Sequence, residues 1–397
     1  MKTSKDLYKS NIWKFYAYKF VHNFHFFAGI LVPFFTIFGG INFVQIMILQ
    51  AIFTISIFLL EIPTGVLADK FGRKISLALA GFIGMIGFLI YASYPNFWAF
   101  AMGEFTLATS ASLISGADQS LFYDSLREIR KEKTSKKLFG RLNSIGLFGL
   151  MIAAPIGSLL ALHFGFRTVM LLMSIPMLLT AFIALTFKEP EIGRKLSKGR
   201  SYTKILSRGI TYFKNHKTLR IMAFDYVSIS VFAFFLIWVY QLKLQSLGVE
   251  IGIFGFVHSA LVLVQIIVLN TFISFEKLVN GKRRYLLFSA ILTGFGFILI
   301  ALASTFFVAF FGIMIVGAFG LTRRLIFQNY INKHVNSSER ATVLSTVSML
   351  YMFSMTIMNV VLGYFVEINM TYTLFALGLI IIALGIFSKL EEEHLID

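Results

Sequence analysis

The sequence predicts an all-α membrane protein with twelve transmembrane helices, arranged as two halves of six helices each. Hydrophobic residues make up 57% of the 397 residues and charged residues only 14%, whereas soluble chains have about 45–50% and about 25%. The mean hydropathy is +0.79, and the chain contains 46 Phe. The apolar residues gather in runs of about 20, the length that a helix needs to cross a bilayer.

The apolar runs divide into two groups of six around one polar, basic segment. The predicted spans are roughly 15–38, 42–67, 74–94, 97–123, 138–162, 166–187, 220–243, 251–275, 285–304, 306–331, 341–364 and 371–389. We therefore predict a first half over 1–190, a cytoplasmic linker over 191–219 and a second half over 220–397. Residues 203–214 are expected to form an amphipathic helix on the inner membrane surface. Two halves of six spans are typical of transporters built from parallel repeats.

The net charge of +17 is explained by its position along the chain. Most of the 36 Lys and Arg residues lie in segments that face the cytoplasm if the N-terminus does. The exceptions are Lys19, Arg323 and Arg324 within spans, and Arg167 and Lys243 beside outward loops. This bias predicts that both termini are cytoplasmic, in a bacterial-type inner membrane. It accounts for the charge without nucleic acid as a partner.

Several functional classes lose support because their residues are missing. The chain has no Cys, which excludes disulfides, thiol nucleophiles and thiolate metal sites. It has no phosphate-binding loop of the G-x-x-x-x-G-K-[ST] type, so nothing suggests an ATP-driven pump. No catalytic triad or zinc constellation stands out on a soluble segment. We therefore predict no enzyme and no cofactor, with a proton gradient as the energy source.

The loop between the second and third spans carries the most specific motif, which runs from Gly65 to Lys74. It places Asp69 three residues before the pair Gly72–Arg73. This arrangement resembles the loop signature of the major facilitator superfamily. The resemblance implies that Asp69, Arg73 and Asp124 form a cytoplasmic charge cluster, which breaks and re-forms as the two halves rock. It also implies that Gly65 admits a neighbouring helix. The alternative is that these residues only staple loops at the membrane surface.

Other stretches resemble the drug:proton antiporter branch of the same superfamily. They are Glu61-Ile62-Pro63-Thr64, Gln241, Arg340-Ala341-Thr342 and, in the fifth span, Gly146, Gly149 and Ala154-Pro155-Ile156-Gly157-Ser158. The fifth-span match is degenerate, because the glycine expected before Pro155 is an alanine. The matching loop of the second half, Glu276 to Arg284, keeps the charges of the signature and loses its spacing. Export is the direction that these resemblances favour.

Ionisable residues within spans are candidate functional residues, because charge is costly in lipid. Glu104 and Asp118 recur at a spacing that places both carboxylates on one face of the fourth span. His22 and His25 share a face of the first span. In the family fold these helices line a central cavity with the seventh and tenth, so the further candidates are Asp225, Tyr226, Arg323 and Arg324.

Each candidate has a second interpretation. Glu104 is expected to carry the coupling proton or contact the substrate, and the alternative is a satisfied hydrogen bond between helices. Asp118 is expected to pair with Arg323 or Arg324 as a gate, although pairing of these arginines with Asp225 is equally expected. His22 and His25 are expected to line water as polar residues, with a metal site as the less supported alternative.

We predict a monomeric secondary transporter that exports a small, partly apolar compound in exchange for protons, by alternating access. The arginine pair suits an anionic metabolite or chelate, whereas the two carboxylates suit a cationic drug. Uptake or export of a specific metabolite or anion is therefore the alternative within transport. A membrane receptor or enzyme that uses the same fold without transport is the alternative from another class.

Overall fold

The computed structural model describes residues 4–190, 211, 216–335 and 340–395, and all regular structure within these residues is helical. Most of the predicted linker, including the predicted amphipathic helix over 203–214, lies outside them. Ten helices of the described residues are long and apolar enough to cross a membrane. The last of these, Val343–Ile386, has 44 residues and is interrupted at Asn369, where the backbone is extended. The count of twelve spans stays a prediction.

The chain forms two compact units, of which the first contains Met1–Gly199 and Ile251–Ser259. Its helices are α1 (Ser4–His22), α2 (Leu31–Pro33), α3 (Phe43–Phe71), α4 (Arg73–Tyr91), α5 (Phe97–Ile114), α6 (Ala117–Glu128), α7 (Ser135–Phe164) and α8 (Phe166–Leu185). A π-helical segment, Phe34–Phe38, follows α2. Capping residues start several of these helices, as where Asn42 accepts a hydrogen bond from Gln45 N at the start of α3.

The second unit contains Arg200–Glu250 and Ala260–Asp397. Its helices are α9 (Lys217–Phe234), α10 (Leu236–Ser246), α11 (Ile251–Leu278), α12 (Lys282–Leu302), α13 (Phe306–Ile315), α14 (Arg323–His334) and α15 (Arg340–Ile386). The first nine residues of α11 group with the first unit. A π-helical segment, Val316–Leu321, separates α13 from α14. The predicted boundaries of the halves, at residues 190 and 220, stay predictions.

Two predicted spans of the first unit are interrupted near their polar residues. The first span, expected to be continuous over 15–38, leaves the helix after His22 and resumes at Leu31. The fourth span breaks at Ser115–Gly116, where Gly116 has a φ of 74°, a conformation that favours glycine. This break corrects the prediction for Glu104 and Asp118, because they lie on separate helices and share no continuous helical face.

Small residues allow α1 and the unwound segment after it to pack closely on α7. A side chain at Gly149 would come within 2.7 Å of the Phe20 carbonyl oxygen, and one at Gly146 would meet Asn23. Gly157 lies directly against the backbone of Phe26. The glycines that the sequence singled out in the fifth span therefore serve close contact between backbones, as small residues do in other membrane helix interfaces.

The chain that leaves the last helix of each unit returns to the start of an earlier helix. In the first unit the Glu189 carboxylate accepts hydrogen bonds of 3.0 and 2.9 Å from the backbone N–H groups of Arg73 and Lys74, which begin α4. In the second unit Glu392 accepts bonds of 2.8 Å from Lys282 and Arg283, which begin α12. Each carboxylate satisfies free N–H groups and faces the positive end of the helix dipole.

Candidate functional site

One ion pair of the first unit includes an arginine of the loop signature and joins the start of α4 to α6. Arg73 donates through Nη1 to the Asp124 carboxylate, as the resemblance implied, and both side chains are mostly buried. Gly72 has a φ of 99°, which explains why a glycine precedes Arg73. Asp69 lies exposed in the last turn of α3. The cluster of Asp69, Arg73 and Asp124 therefore stays a prediction. A contribution of Arg340, Ala341 and Thr342 to this cluster also stays a prediction, because their side chains are outside the described residues.

Gly65 of the loop signature lies at the surface of its unit. It is exposed, and a side chain built on it would meet no atom within 4 Å in the described part of the chain. The expectation that a neighbouring helix approaches this glycine therefore stays a prediction. The close approaches occur instead on α7.

A second ion pair joins the first and fourth spans inside the first unit. Lys19 Nζ donates to Asp118 Oδ2 at 2.7 Å, and the side chains are 20% and 8% exposed. The other carboxylate oxygen accepts a 2.6 Å hydrogen bond from the backbone N–H of Gln119. Asp118 begins α6 directly after the break at Gly116, and Lys19 lies in the last turn of α1. The expected pairing of Asp118 with Arg323 or Arg324 is therefore wrong, because Lys19 holds it within its own unit.

His22 and His25 lie where the first span unwinds, one turn beyond Lys19. Their rings are 6.0 Å apart in a T-shaped arrangement, and Tyr18 stacks on His22 at 5.8 Å. The Nδ1 atom of His22 is buried without a hydrogen-bond partner. Non-helical backbone at membrane depth is tolerated where it is covered by protein or lines a water-filled cavity. Among the described residues, no group of three or more His, Asp or Glu side chains is arranged to hold a metal ion.

Glu104 is held by neighbours on two other helices. Gln50 of α3 donates a hydrogen bond of 2.7 Å to Oε1, and Tyr91 at the end of α4 also hydrogen-bonds to the carboxyl group. The Glu104 side chain is buried, and Tyr91 packs against Gly103. This arrangement matches the second interpretation of Glu104, a satisfied hydrogen bond between helices. Its role in coupling stays a prediction.

The second unit buries its own ion pair more deeply. Arg323 Nη2 donates to Asp225 Oδ1, with side chains only 2% and 5% exposed. The other terminal nitrogen of Arg323 donates to the Leu286 carbonyl and to Ser289 Oγ, both at 2.7 Å. Ser388 donates to the second oxygen of Asp225 at 2.5 Å. The pair therefore uses most of its hydrogen-bonding capacity within the unit, as a buried pair requires.

Arg324 differs from its neighbour because it is exposed and lies among tyrosines. Its guanidinium is 4.9 Å from the centre of the Tyr351 ring, and it hydrogen-bonds to the side chains of Tyr226 and Tyr351. The two tyrosine rings stack at 5.6 Å. None of the ion pairs found among the described residues involves Arg324. A planar cation on an aromatic face is a suitable partner for a carboxylate or phosphate.

The loop of the second half uses different chemistry from the signature of the first half. Glu276, at the end of α11, accepts a hydrogen bond from the Tyr330 hydroxyl. The loop of the second half thus keeps an acid in a side-chain contact between helices although the spacing of the signature is lost.

Sequence reasoning missed Lys19, Gln50 and Tyr351. Lys19 had a visible signal, since it is a charged residue within a span and lies one turn before His22. Gln50 and Tyr351 had none, because a single polar residue or tyrosine on an apolar helix gains meaning only from its neighbours in space. The seventh-span residues Asp225 and Tyr226 were identified, and Asp225 pairs with Arg323, one of the pairings that the sequence left open.

Comparisons with known proteins agree with this helical architecture. Residues 20–280 match the family described as Major Facilitator Superfamily. A protein of Buchnera aphidicola from Acyrthosiphon pisum, described as an uncharacterized transporter, is 29% identical over 175 residues, which are 43% of this chain and 42% of that protein. One from the Schizaphis graminum strain is 29% identical over 148 residues, 36% of each chain. The matches thus span less than half the length of these relatives.

Solved transporters share the fold at low sequence identity. The nucleoside transporter NupG superposes with a TM-score of 0.79 at 15% identity, covering 94% of this chain and 97% of that one. A D-xylose-proton symporter gives 0.73 at 12% identity, covering 98% and 99%. A POT family transporter gives 0.73 at 14% identity, covering 95% of both chains. Since the family and these proteins are transporters, the prediction that the chain is not an enzyme is confirmed.

Proposed function

Because the chain belongs to the major facilitator superfamily, we propose that it is a proton-coupled secondary transporter of a small anionic or polar metabolite. It is a multi-pass membrane protein whose named relatives are bacterial. Our proposal further includes a bacterial-type inner membrane, cytoplasmic termini, a monomer and alternating access of the two units. The observation that carries the proposal is the ion pair Lys19–Asp118 beside the unwound first span.

The position of this pair supports proton coupling. Interrupted helices flank it on both sides, at Ser115–Gly116 and after His22. Broken helices at membrane depth are where secondary transporters build substrate and ion sites. Lys19 is 20% exposed and Asp118 is 8% exposed, and a proton bound by Asp118 would neutralise the carboxylate and release the Lys19 ammonium from the pair. His22 and His25 lie one turn away and extend the same polar region.

The charges of the two units favour an anionic or polar substrate over a cationic drug. Glu104 and Asp118, which would attract a cation, both have hydrogen-bonded partners. Arg323 is also engaged, by Asp225. Arg324 is the candidate arginine whose side chain is exposed, and it hydrogen-bonds to the side chains of Tyr226 and Tyr351. The named structural neighbours are a nucleoside transporter, a POT family transporter in complex with a conjugated peptide and a D-xylose-proton symporter, and at their identity they support the fold alone.

Export of a partly apolar compound is the second candidate, and one observation favours it. The glycines of α7 pack on the backbone around Phe20 and Phe26, which is the close contact expected of the exporter-like fifth span. The transporters named above include no drug exporter, so this candidate rests on the packing of α7 and the sequence resemblances.

Reconstitution of the full chain into proteoliposomes with an internal pH indicator tests the proposal. We expect a panel of carboxylates, phosphates, nucleosides and cationic drugs to contain an anionic or polar compound that moves protons on addition. Arg324→Gln should weaken that response, whereas Arg284→Gln, an exposed arginine at the start of α12, should leave it unchanged. Substrate transport without proton movement would contradict the proposal that transport is coupled to protons. Responses to cationic drugs alone would favour the second candidate.

A further inference from the structure

A groove on the second unit lies between α9 and the last turns of α15. Its volume is about 540 Å³. Its walls are Arg220, Ile221, Phe224, Asp225 and Ser228 from α9, and Ile380, Ala383, Leu384, Phe387, Ser388 and Lys389 from the end of α15 and the residues after it. All of these residues belong to the second unit. Arg324 is not among the residues that line the groove.

The groove is amphipathic along its length. On α9, Arg220, Phe224 and Ser228 follow each other at intervals of four and so share one face. On α15, Ile380, Ala383 and Leu384 form a matching stripe, and Phe387 and Lys389 follow just beyond the helix. Both walls therefore lead from apolar side chains to a cation at the end where α9 begins and α15 ends.

Its apolar side chains are open to the surroundings. Phe224 is 69% exposed and Phe387 is 81% exposed. On membrane-spanning helices these side chains face lipid rather than water. Arg220 and Lys389 are exposed at the level where the helices leave the membrane, which the positive-inside rule places on the cytoplasmic side.

The charge of the groove is positive despite the carboxylate in its floor. Asp225 is compensated by Arg323 and accepts a hydrogen bond from Ser388, so its charge is engaged inside the unit. Neither Arg220 nor Lys389 takes part in an ion pair found among the described residues. Two cations at the rim of an apolar groove complement a ligand with an anionic head and an apolar tail.

We propose that this groove binds an anionic phospholipid, with its phosphate between Arg220 and Lys389 and an acyl chain along Phe224, Ala383 and Phe387. Basic pockets between membrane helices on the cytoplasmic side bind anionic headgroups, and each cation near the surface contributes to this attraction. The lipid would cover the outer side of the Asp225–Ser388 contact, where α9 meets the end of α15.

Native mass spectrometry of the full chain, released from membranes with equal parts phosphatidylglycerol and phosphatidylcholine, tests the proposal. The protein should retain phosphatidylglycerol in preference to phosphatidylcholine. Arg220→Gln and Lys389→Gln should each lower the retained phosphatidylglycerol about fivefold. The matched controls Arg284→Gln and Lys277→Gln, exposed cations of the same unit outside the groove, should retain as much as the wild type.

Two further arms separate this site from simpler explanations. Ala383→Trp fills the apolar wall without changing charge, and it should also release phosphatidylglycerol, with an unchanged melting temperature in phosphatidylcholine alone. Excess inorganic phosphate should not displace the lipid. Equal losses in all four charge variants would show unspecific attraction and overturn the proposal. Displacement by phosphate alone would identify a phosphate site instead and overturn it equally.

Discussion

Asn11 and Asp225 tie the first helix of each unit to the rest of its bundle in similar positions but with different chemistry. In the first unit the Asn11 side-chain amide donates hydrogen bonds of 2.9 Å to Ser125 Oγ and to the Lys188 carbonyl, just after the last helix. Asn11 is fully buried, and its carbonyl oxygen accepts a bond of 3.0 Å from the Lys188 N–H. The connection uses neutral groups only.

In the second unit Asp225 makes the corresponding connection with a full charge. It pairs with Arg323 on one side and accepts a hydrogen bond from Ser388, just after the last helix, on the other. The first unit instead places its charged pair, Lys19–Asp118, beside unwound backbone and leaves it partly exposed. We therefore expect the pair of the second unit to hold structure, whereas the pair of the first unit is the one to which our proposal assigns proton coupling.

The largest expected effect concerns the stability of the two connections. Asp225→Ala leaves the buried Arg323 guanidinium without its carboxylate, which should cost about 3–5 kcal/mol. Asn11→Ala removes neutral hydrogen bonds and leaves buried groups unpaired, which should cost about 1–3 kcal/mol. Thermal unfolding of both variants in the same detergent measures the difference. Equal losses would mean that the charge of Asp225 adds nothing to the connection.

A double variant sharpens this test. Asp225→Leu with Arg323→Met replaces the ion pair by apolar side chains and should recover much of the stability that Asp225→Ala loses, because no unpaired charge stays buried. If the double variant is as unstable as the single one, the hydrogen bonds of Arg323 to Leu286 and Ser289 hold the unit rather than its pairing with Asp225.

The second expected effect separates coupling from structure. Asp118→Asn keeps the size of the side chain and removes its charge, so transport driven by a pH gradient should disappear while substrate exchange continues. Its melting temperature should fall less than that of Asp225→Asn, because Lys19 is 20% exposed and can be solvated when its partner is lost. Parallel measurements of gradient-driven uptake, exchange and melting check both statements.

Glu104→Gln should be measured in the same experiment, because Glu104 is the other candidate for the residue that carries the coupling proton. If Glu104 carries the proton, this variant loses gradient-driven transport and Asp118→Asn keeps it. The hydrogen bonds of Glu104 to Gln50 and Tyr91 instead predict that glutamine is tolerated there, with transport preserved. Intact gradient-driven transport in Asp118→Asn would remove the coupling role that we assign to the first unit's ion pair.

A third expected effect concerns the loop signature, which only the first unit keeps. Arg73→Ala should abolish turnover and leave substrate binding within a few-fold, because it removes the partner of Asp124 without touching a substrate site. Asp69→Asn should do the same if the three-residue cluster forms during the transport cycle. Lys74→Ala, at the next position of the same helix, is the matched control. If Arg73→Ala turns over at the wild-type rate, the Arg73–Asp124 pair only stabilises the contact between helices and has no role in the transport cycle.

The sequence was sufficient for the class of fold and for the residues around Arg73. Apolar runs of membrane length and the placement of charge depend only on local composition, and the loop signature is compact enough to be read along the chain. The pairing of Arg73 with Asp124 came from the resemblance, which supplied a contact between distant residues. Arg323 with Asp225 was one of two pairings that the sequence left open, because both acids lie in spans and either has the right charge.

The candidate site was less predictable where helices break. The periodicity that placed Glu104 and Asp118 on one face assumes a continuous helix, and Gly116 with its positive φ ends that assumption. The sequence signal for this break was the Ser115–Gly116 pair inside a predicted span. The unwinding after His22 had no comparable signal, since it depends on the contacts of Asn23 and Phe26 with α7 and α8. Such contacts are set by packing and are invisible in one sequence.

The smallest expected effect concerns the feature that the two units share most closely. Glu189 and Glu392 each bond to the first N–H groups of the third long helix of their unit, next to a glycine of positive φ, Gly72 or Gly281. Glu189→Gln and Glu392→Gln should each cost about 0.5–2 kcal/mol, the usual value of a helix cap, because an amide has one acceptor oxygen and no charge for the dipole. The two losses should be similar and should add in the double variant, since the residues lie in separate units. Thermal unfolding measures them, with Glu391→Gln, the neighbour of Glu392, as the control. If only one of the two variants loses stability, the same hydrogen-bond geometry does not contribute the same stabilisation in both units.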